Sequence, residues 1–319
     1  MTIKSKMELR YGPQNPGDNK FKAKARMLQS IYRVYIGEQM GVGPTEHPFS
    51  TDKIAFFGNI IMHGFYTGKN FHFPETFEYA KYRVEEMSNG ETINRYMLFN
   101  NLLSCTSMVF NIFHPLMMIK EKHPEQIAWI IQSMFPEFDI HQVDEILLAF
   151  VPTPIKKYIN DKRAMDAAIL FSDRKNRKHL IAFKVKYTDG LGATVTHDKV
   201  GKYNIALDSG LFTDAGLEKV NDTCPHIYCN FLLAEKYRMV HHLEDSYSVV
   251  LAPKDHPTTL KEISSLKNHL KREYRYKIQS YTLEDMMDDL YKRCPHDFLD
   301  WIGRFKARYL NFETIDMVK

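Results

Sequence analysis

The residues best suited to chemistry lie in one predicted hairpin near the middle of the chain. Asp166 begins an apolar run that ends at Phe171, and a second apolar run contains Lys184 and Lys186. Alternation along a strand places Lys184 and Lys186 on the same face of the sheet. A carboxylate such as that of Asp166 is a hard oxygen ligand, of the kind that Mg²⁺ prefers. Two lysines beside it repel a divalent cation and attract phosphate instead.

This spacing leaves more than one interpretation open. Asp166 is either a metal carboxylate or the partner of Lys184 in an ion pair, and Lys186 is placed to stabilise charge on a phosphate. The plainer interpretation is an ordinary amphipathic hairpin with exposed lysines, because an Asp and a Lys at such a distance recur often by chance. We predict the ion pair, since a buried carboxylate is costly unless a cation lies within reach.

The two apolar runs, residues 166–172 and 179–188, flank a polar turn and predict a pair of antiparallel strands. A third strand is predicted over 141–152, and amphipathic helices precede and follow the three. A long helical stretch over 92–120 is predicted to break at the dipeptide 114–115, and Thr282 is predicted to cap a later helix. The order of elements predicts an α/β fold with a mixed central sheet flanked by helices and an N-terminal helical extension.

The domain organisation follows from the distribution of Gly and Pro. Residues 1–20 contain Gly12, Pro13, Pro16 and Gly17 and are predicted to form an irregular arm. Residues 21–319 are predicted to form one domain. Its part 21–135 is mostly helical, and its part 136–319 holds the sheet and the C-terminal helices.

Composition limits the classes of function. The 319 residues are 44% hydrophobic and carry a net charge of only +4, so any nucleic-acid surface must be local. No apolar run approaches the ~18 residues of a membrane span. The first residues lack the apolar stretch of a signal peptide, and the four cysteines show no paired zinc spacing. These features predict a cytoplasmic protein with reduced thiols and no membrane partner.

Further residues could complete a site around the hairpin. Glu145 on the preceding strand and Asp189 after Lys186 are candidate additional acids, although Glu145 also fits an exposed edge and alternation turns Asp189 to the opposite face. The cations Lys178, Lys199 and Lys202 are candidate contacts to nucleic-acid phosphates.

Several short segments together carry a resemblance to a known family. They are Gln29–Arg33, Asn100–Ser104, Phe110–Phe113, Pro115–Leu116, Asp166–Ile169, Lys186–Asp189, Leu232–Ala234, Tyr247–Pro253, Thr282–Glu284, Trp301 and Arg308–Phe312. In this order, from about Ala25 to Phe312, the chain resembles a PD-(D/E)XK nuclease-like family of bacterial and phage proteins. The resemblance implies a restriction-endonuclease-like fold, with Asp166 and Lys186 in a magnesium-dependent site.

The chain departs from the family at polar positions. The family usually has Glu where this chain has Lys184, and it tends to have Gln where this chain has Thr106. It usually has Gln and Arg where this chain has His226 and Cys229. Several polar positions therefore differ together while the apolar framework is kept, which favours natural loss of catalysis over a single inactivating change.

Three functions follow from the resemblance and its departures. The first is a nuclease-like protein with a degenerate site, inactive or impaired, that needs no cofactor and binds DNA or RNA without sequence preference, or binds a protein partner. The second is an active endonuclease that hydrolyses DNA phosphodiester bonds with Mg²⁺ at Asp166. The third is a purely structural subunit of a larger assembly.

Overall fold

The computed structural model describes residues 3–44, 54–87, 93–190 and 197–318. The helices are α1 Ile3–Tyr11, α2 Lys20–Tyr35, α3 Gly64–Thr67, α4 Pro74–Glu85, α5 Arg95–Asn100, α6 Cys105–Lys122, α7 Pro124–Met134, α8 Lys199–Ser209, α9 Asp214–Asp222, α10 His226–His241, α11 Thr259–His269, α12 Leu283–Arg293, α13 Leu299–Tyr309 and α14 Thr314–Met317. The strands are β1 Gly43–Pro44, β2 Ile54–Ala55, β3 Gln142–Phe150, β4 Met165–Ser172, β5 Lys178–Val185, β6 Asp245–Ala252 and β7 Ile278–Thr282.

The chain divides into two compact units. The first unit consists of Met1–Glu86, Ile93–Asn111 and His296–Lys319, and the second of Met87–Thr92 and Ile112–Pro295. The predicted boundaries after residues 20 and 135 do not coincide with these units. The division into an arm and one nuclease-like domain stays a prediction.

The first unit is helical and is built around α2. Helices α1, α13 and α14 all pack against α2. The Asn19 side chain caps α2 by accepting a hydrogen bond from the Lys22 amide at 2.9 Å, which satisfies one of the free N–H groups of the first turn. Leu28 of α2 is buried, as are Trp301 and Phe305 of α13. An apolar stripe on each helix therefore forms this core.

The second unit holds a mixed five-stranded sheet in the order β3-β4-β5-β6-β7. β4 pairs antiparallel with both β3 and β5, whereas β5–β6 and β6–β7 pair in parallel. The predicted antiparallel pairing of the hairpin strands is thus confirmed, as is the mixed α/β fold. Helices α8, α9 and α10 connect β5 to β6, and α11 connects β6 to β7, because a parallel neighbour requires a crossover.

Both faces of the sheet are covered, which explains why its central strands have nearly continuous apolar sequences. On one face, Leu180 and Ala182 belong to the same apolar cluster as Phe231 of α10. On the other face, the ring of Phe183 lies 5.9 Å from that of Phe135, between centroids. On the central strands β4 and β5 the charged residues lie near the strand ends, where Asp166 and Lys184 lie.

The helix predicted to break at 114–115 is continuous there. α6 runs from Cys105 to Lys122 with Pro115 inside it, and the interruption lies earlier, between α5 and α6. Proline cannot donate to the carbonyl four residues before it, which here belongs to Asn111. The Nε1–H of Trp301 donates to that carbonyl oxygen at 2.8 Å. The helix therefore passes through the proline without leaving a buried acceptor unsatisfied.

Three other expectations need correction. The predicted irregular arm contains helix α1, in which Met7 and Tyr11 are four residues apart and both buried, so one face packs. Met1 and Thr2 of the arm lie outside the described residues. β5 ends at Val185, three residues before the predicted end, and β7 was not predicted. The Thr282 cap is confirmed, with its side-chain oxygen accepting from the Asp285 amide at 3.0 Å. No helix in the described ranges is long and apolar enough to cross a membrane.

Candidate functional site

The centre of the candidate site is an ion pair between Asp166 and Lys184. Ala167 pairs with Phe183 across β4 and β5, so the next residues outward, Asp166 and Lys184, face each other on one side of the sheet. Lys184 Nζ lies 2.6 Å from Asp166 Oδ1, and the Val185 amide donates to Asp166 Oδ2 at 2.8 Å. The side chains are only 18% and 20% exposed for Asp166 and Lys184. The predicted ion pair is confirmed, and both carboxylate oxygens are engaged.

This arrangement does not fit a divalent metal ion. Mg²⁺ requires several oxygen ligands in an octahedral arrangement. The ammonium of Lys184 lies against the carboxylate of Asp166, where a metal ion would have to bind. Among the described residues, no group of three or more His, Cys, Asp or Glu side chains is arranged to hold a metal. The donor set at Asp166 is therefore that of an ion pair.

A second group of cations lies beside the pair at the start of α10. Burial, together with the positive charges of Arg163, Lys186 and Lys184, lowers the pKa of His226 to about 4, and Asp161 opposes this shift. His226 is the first residue of α10, where the helix dipole also favours anions. Lys186 is half-buried, and its amide donates to the Leu251 carbonyl at 2.7 Å, which continues the β5–β6 pattern past the strand end.

This cluster has the character of an anion site, because Arg163, Lys184 and Lys186 all place positive charge near His226 and Asp161 offsets only part of it. Arg163 was missed by sequence reasoning. The sequence feature that could have identified Arg163 is its position, three residues before Asp166 in the short segment that precedes β4. The Arg163 guanidinium lies 3.6 Å from the Asp161 carboxylate. At this distance the carboxylate balances the positive charge of Arg163 only in part.

Asn230 is another site residue that sequence reasoning missed. It lies one helical turn after His226 on α10, on the same side of the helix. Asn230, Lys184 and Ser248 line a small cavity of about 20 Å³. Neither the amide oxygen nor the amide nitrogen of Asn230 has a hydrogen-bond partner, although both atoms are buried. A cavity of this size accommodates one water-sized polar group, and Lys184 of the ion pair lines it together with Asn230.

The candidate additional acids lie elsewhere. Glu145 pairs with Leu170, four residues along β4 from Asp166, which is about 13 Å at the usual rise of a strand. Glu145 is exposed, and so is Asp189, which lies four residues past the end of β5. The structure does not bring Glu145 to the Asp166–Lys184 pair.

The three predicted nucleic-acid cations lie in different environments, Lys178 on β5 and both Lys199 and Lys202 on α8. Lys178 begins β5, six residues from Lys184, and its ammonium lies 3.6 Å from Asp144. Lys199 is half-buried, and its ammonium donates to the Asp222 carbonyl at 2.6 Å. The Lys202 side chain is fully buried and lies 3.8 Å from Asp161. A surface role for Lys202 is therefore wrong, because its apolar stem packs inside the core and Asp161 balances its charge.

The positions at which we expect the chain to depart from the family pattern lie in both units. His226 and Cys229 belong to α10 in the second unit. Cys229 is fully buried, with its Sγ 2.9 Å from that of Cys224, so a thiol pair occupies this position. Thr106 belongs to the first unit, where its amide donates to the Ser104 hydroxyl at 3.1 Å in the first turn of α6.

Comparison with known proteins agrees with this architecture. A family model described as the PD-(D/E)XK nuclease superfamily matches residues 16–311, which is most of the chain. The mixed sheet flanked by helices is consistent with a restriction-endonuclease-like fold. No curated protein and no solved structure matches the chain.

Proposed function

The chain belongs to the PD-(D/E)XK nuclease superfamily, and from this premise we propose that it binds nucleic acid without cleaving it. In this proposal the Asp166–Lys184 ion pair stands where a nuclease holds its metal, and the cations around it bind a backbone phosphate. The observation that carries the proposal is the 2.6 Å contact between Lys184 Nζ and Asp166 Oδ1.

In this proposal cleavage is lost because the ion pair takes the place of the metal ion. A metal in such a site polarises the scissile phosphate and lowers the pKa of a bound water so that hydroxide forms near neutral pH. An ammonium group has no open coordination position and cannot activate water in this way. Asp166 is also a poor general base, because its Oδ1 accepts from Lys184 and its Oδ2 from the Val185 amide.

In this proposal nucleic-acid binding is retained because the site keeps its positive charges. Lys186 is half-buried beside His226, and no carboxylate in the described part of the chain forms an ion pair with it. The amide groups at the start of α10 add donors and a positive dipole end. Attraction to a phosphate backbone requires only such cations and is independent of base sequence. We therefore expect weak binding of DNA and RNA that falls steeply with salt.

The test of lost catalysis is Lys184→Glu, which restores an acid beside Asp166 and Lys186. We expect the natural protein to take up no Mn²⁺ in calorimetric titration and to leave a supercoiled plasmid intact. Lys184→Glu should bind Mn²⁺, while Lys178→Glu, the same charge reversal at the exposed start of β5, should not. Cleavage by the natural protein would contradict the proposal and favour an active endonuclease.

The test of retained binding is fluorescence anisotropy with labelled DNA and RNA at several salt concentrations. Lys186→Ala should weaken binding and lower the slope of log K against log salt by about one, the value for one lost phosphate contact. Lys292→Ala, which removes an exposed cation of α12, should leave both unchanged. Absence of binding at low salt would contradict a nucleic-acid role and favour a protein partner or a structural subunit.

A further inference from the structure

A second binding pocket lies in the first unit, beside helix α2. Its volume is about 460 Å³, within the range of about 300–1,000 Å³ that is usual for small-molecule sites. α2 contributes Leu28, Ile31, Tyr32, Tyr35 and, just past its end, Ile36. These positions follow the spacing of one helix face, a stripe that normally packs against the protein interior.

The stripe is left partly uncovered. Leu28 and Ile31 are buried at 2% and 8% exposure, but Tyr35, one to two turns further along the same face, is 84% exposed. Tyr32 lies 6.4 Å from Tyr35 between ring centroids. The pocket therefore has an apolar floor and an aromatic ring at its open end. A planar aromatic group is the ligand that such a ring binds best, because a base stacks favourably on an aromatic ring.

The pocket is also positively charged. Lys69 and Arg304 line it, and none of the described residues that line it is acidic. Arg304 is paired with Asp300 at 2.9 Å, but no carboxylate in the described part of the chain pairs with Lys69. An anion at the pocket would therefore approach a cation whose charge is not yet balanced.

A buried guanidinium next to Tyr32, one of the residues that line the pocket, adds independent support. Arg308 is fully buried, with its guanidinium carbon 4.9 Å from the centroid of the Tyr32 ring. Its donors reach only neutral acceptors, namely the side-chain oxygens of Gln29 and Asn70 and the carbonyls of Asn70 and Leu102. No carboxylate of the described residues pairs with it. A buried cation without a counter-charge favours an anionic ligand nearby, because the low dielectric screens its charge weakly.

We propose that this pocket binds a nucleoside monophosphate, with the base against Tyr35 and the phosphate at Lys69 and Arg304. An aromatic ring bearing a dianion matches both the apolar floor and the uncompensated charge. The site is separate from the Asp166–Lys184 pair, and neither Tyr35 nor Lys69 takes part in the proposed phosphate site of the second unit.

The test is calorimetric titration of the full chain with AMP, GMP, CMP and UMP, repeated with adenosine, inorganic phosphate and octanoate. We expect saturable binding of at least one nucleotide, about tenfold weaker binding of the matching nucleoside, and no detectable binding of phosphate or octanoate. Tyr35→Ala and Lys69→Ala should each weaken nucleotide binding about tenfold. Both residues are exposed, so their removal should not disturb folding.

Three control variants make the outcome decisive. Tyr66→Ala removes another exposed tyrosine of the first unit, and Lys24→Ala removes an exposed lysine of α2 that does not line the pocket. Both should bind nucleotide normally, as should Lys186→Ala, which alters the other site. The proposal is overturned if no nucleotide binds at millimolar concentration, if octanoate binds as well as the nucleotides, or if Lys186→Ala rather than Lys69→Ala abolishes binding.

Discussion

The geometry of the Asp166–Lys184 pair predicts how strongly the two side chains are coupled in the free energy of unfolding. Its Nζ–Oδ1 distance is 2.6 Å, and two unit charges at that separation attract by roughly 6 kcal/mol at an effective dielectric constant of about 20. The measurable coupling is smaller, because the carboxylate charge is shared with the oxygen bound to the Val185 amide and because one-fifth of each side chain meets water. We expect a coupling free energy of about 2–3 kcal/mol.

A double-mutant cycle measures this coupling. Asp166→Asn, Lys184→Met and the double variant would be unfolded in urea and followed by circular dichroism. Lys184→Met should destabilise most, by about 3 kcal/mol, because it leaves a largely buried carboxylate without its cation. The double variant should recover much of that loss, since it leaves no uncompensated charge.

The pair Arg174–Asp139 provides the matched control. Its atoms are 3.4 Å apart, but its side chains are 78% and 48% exposed, so its coupling should not exceed about 0.5 kcal/mol. Salt at 1 M should abolish this surface coupling and leave most of that between Asp166 and Lys184, because buried pairs are screened far less. Equal couplings for the two pairs, or one below about 0.5 kcal/mol for Asp166–Lys184, would refute the reasoning.

Further expectations concern pH and the hairpin turn. His226 has a pKa of about 4 in the folded protein, against an ordinary 6.5, so between these values it stays neutral when folded while the unfolded chain takes up a proton. The free energy of unfolding should therefore fall as the pH drops from 6.5 towards 4. In urea titrations, His226→Gln should reduce that fall. Lys186→Ala should raise the NMR titration midpoint of His226, whereas Lys292→Ala should not move it. Although burial alone raises the pKa of Asp173, hydrogen bonds from the turn hold it well below its ordinary value. Its stabilisation should therefore be present above the ordinary carboxyl pKa and lost below it, and Asp173→Asn should lower the urea midpoint at pH 7 more than Asp255→Asn at an exposed position does.

The hairpin could be predicted from sequence because local patterns determine it. Two apolar runs around a polar turn fix an antiparallel pair, and period-2 alternation then places Asp166 and Lys184 on one face. The ion pair followed from charge alone. The continuity of α6 could not be predicted in this way, because the partner of the Asn111 carbonyl is Trp301, 190 residues later in the chain.

The remainder of the site also depends on tertiary placement. Asn230 and Arg163 carry no distinctive motif, and only the packing of α10 against β5 brings Asn230 to Lys184. Lys202 shows the opposite error. A lysine in a polar helix suggests a surface cation, but the ammonium of Lys202 is balanced by Asp161 inside the core. A charged side chain can be buried only where a partner compensates its charge. For Lys202 that partner is Asp161, 41 residues earlier in the chain, and sequence spacing does not reveal it.

The electrostatics of the replaced site explain how binding could outlast cleavage under the proposed function. An Asp, a second acid, a Lys and a divalent cation carry one net positive charge together. Asp166, Lys184 and Lys186 also carry one net positive charge. Exchanging a carboxylate and its metal for an ammonium therefore leaves the attraction for phosphate similar in sign and size, while it removes the Lewis acid and the means of forming hydroxide. Under the proposed function, Lys184 supplies the counter-charge that Asp166 would otherwise lack, so the phosphate site stays charged and its buried carboxylate stays compensated without the metal that cleavage requires.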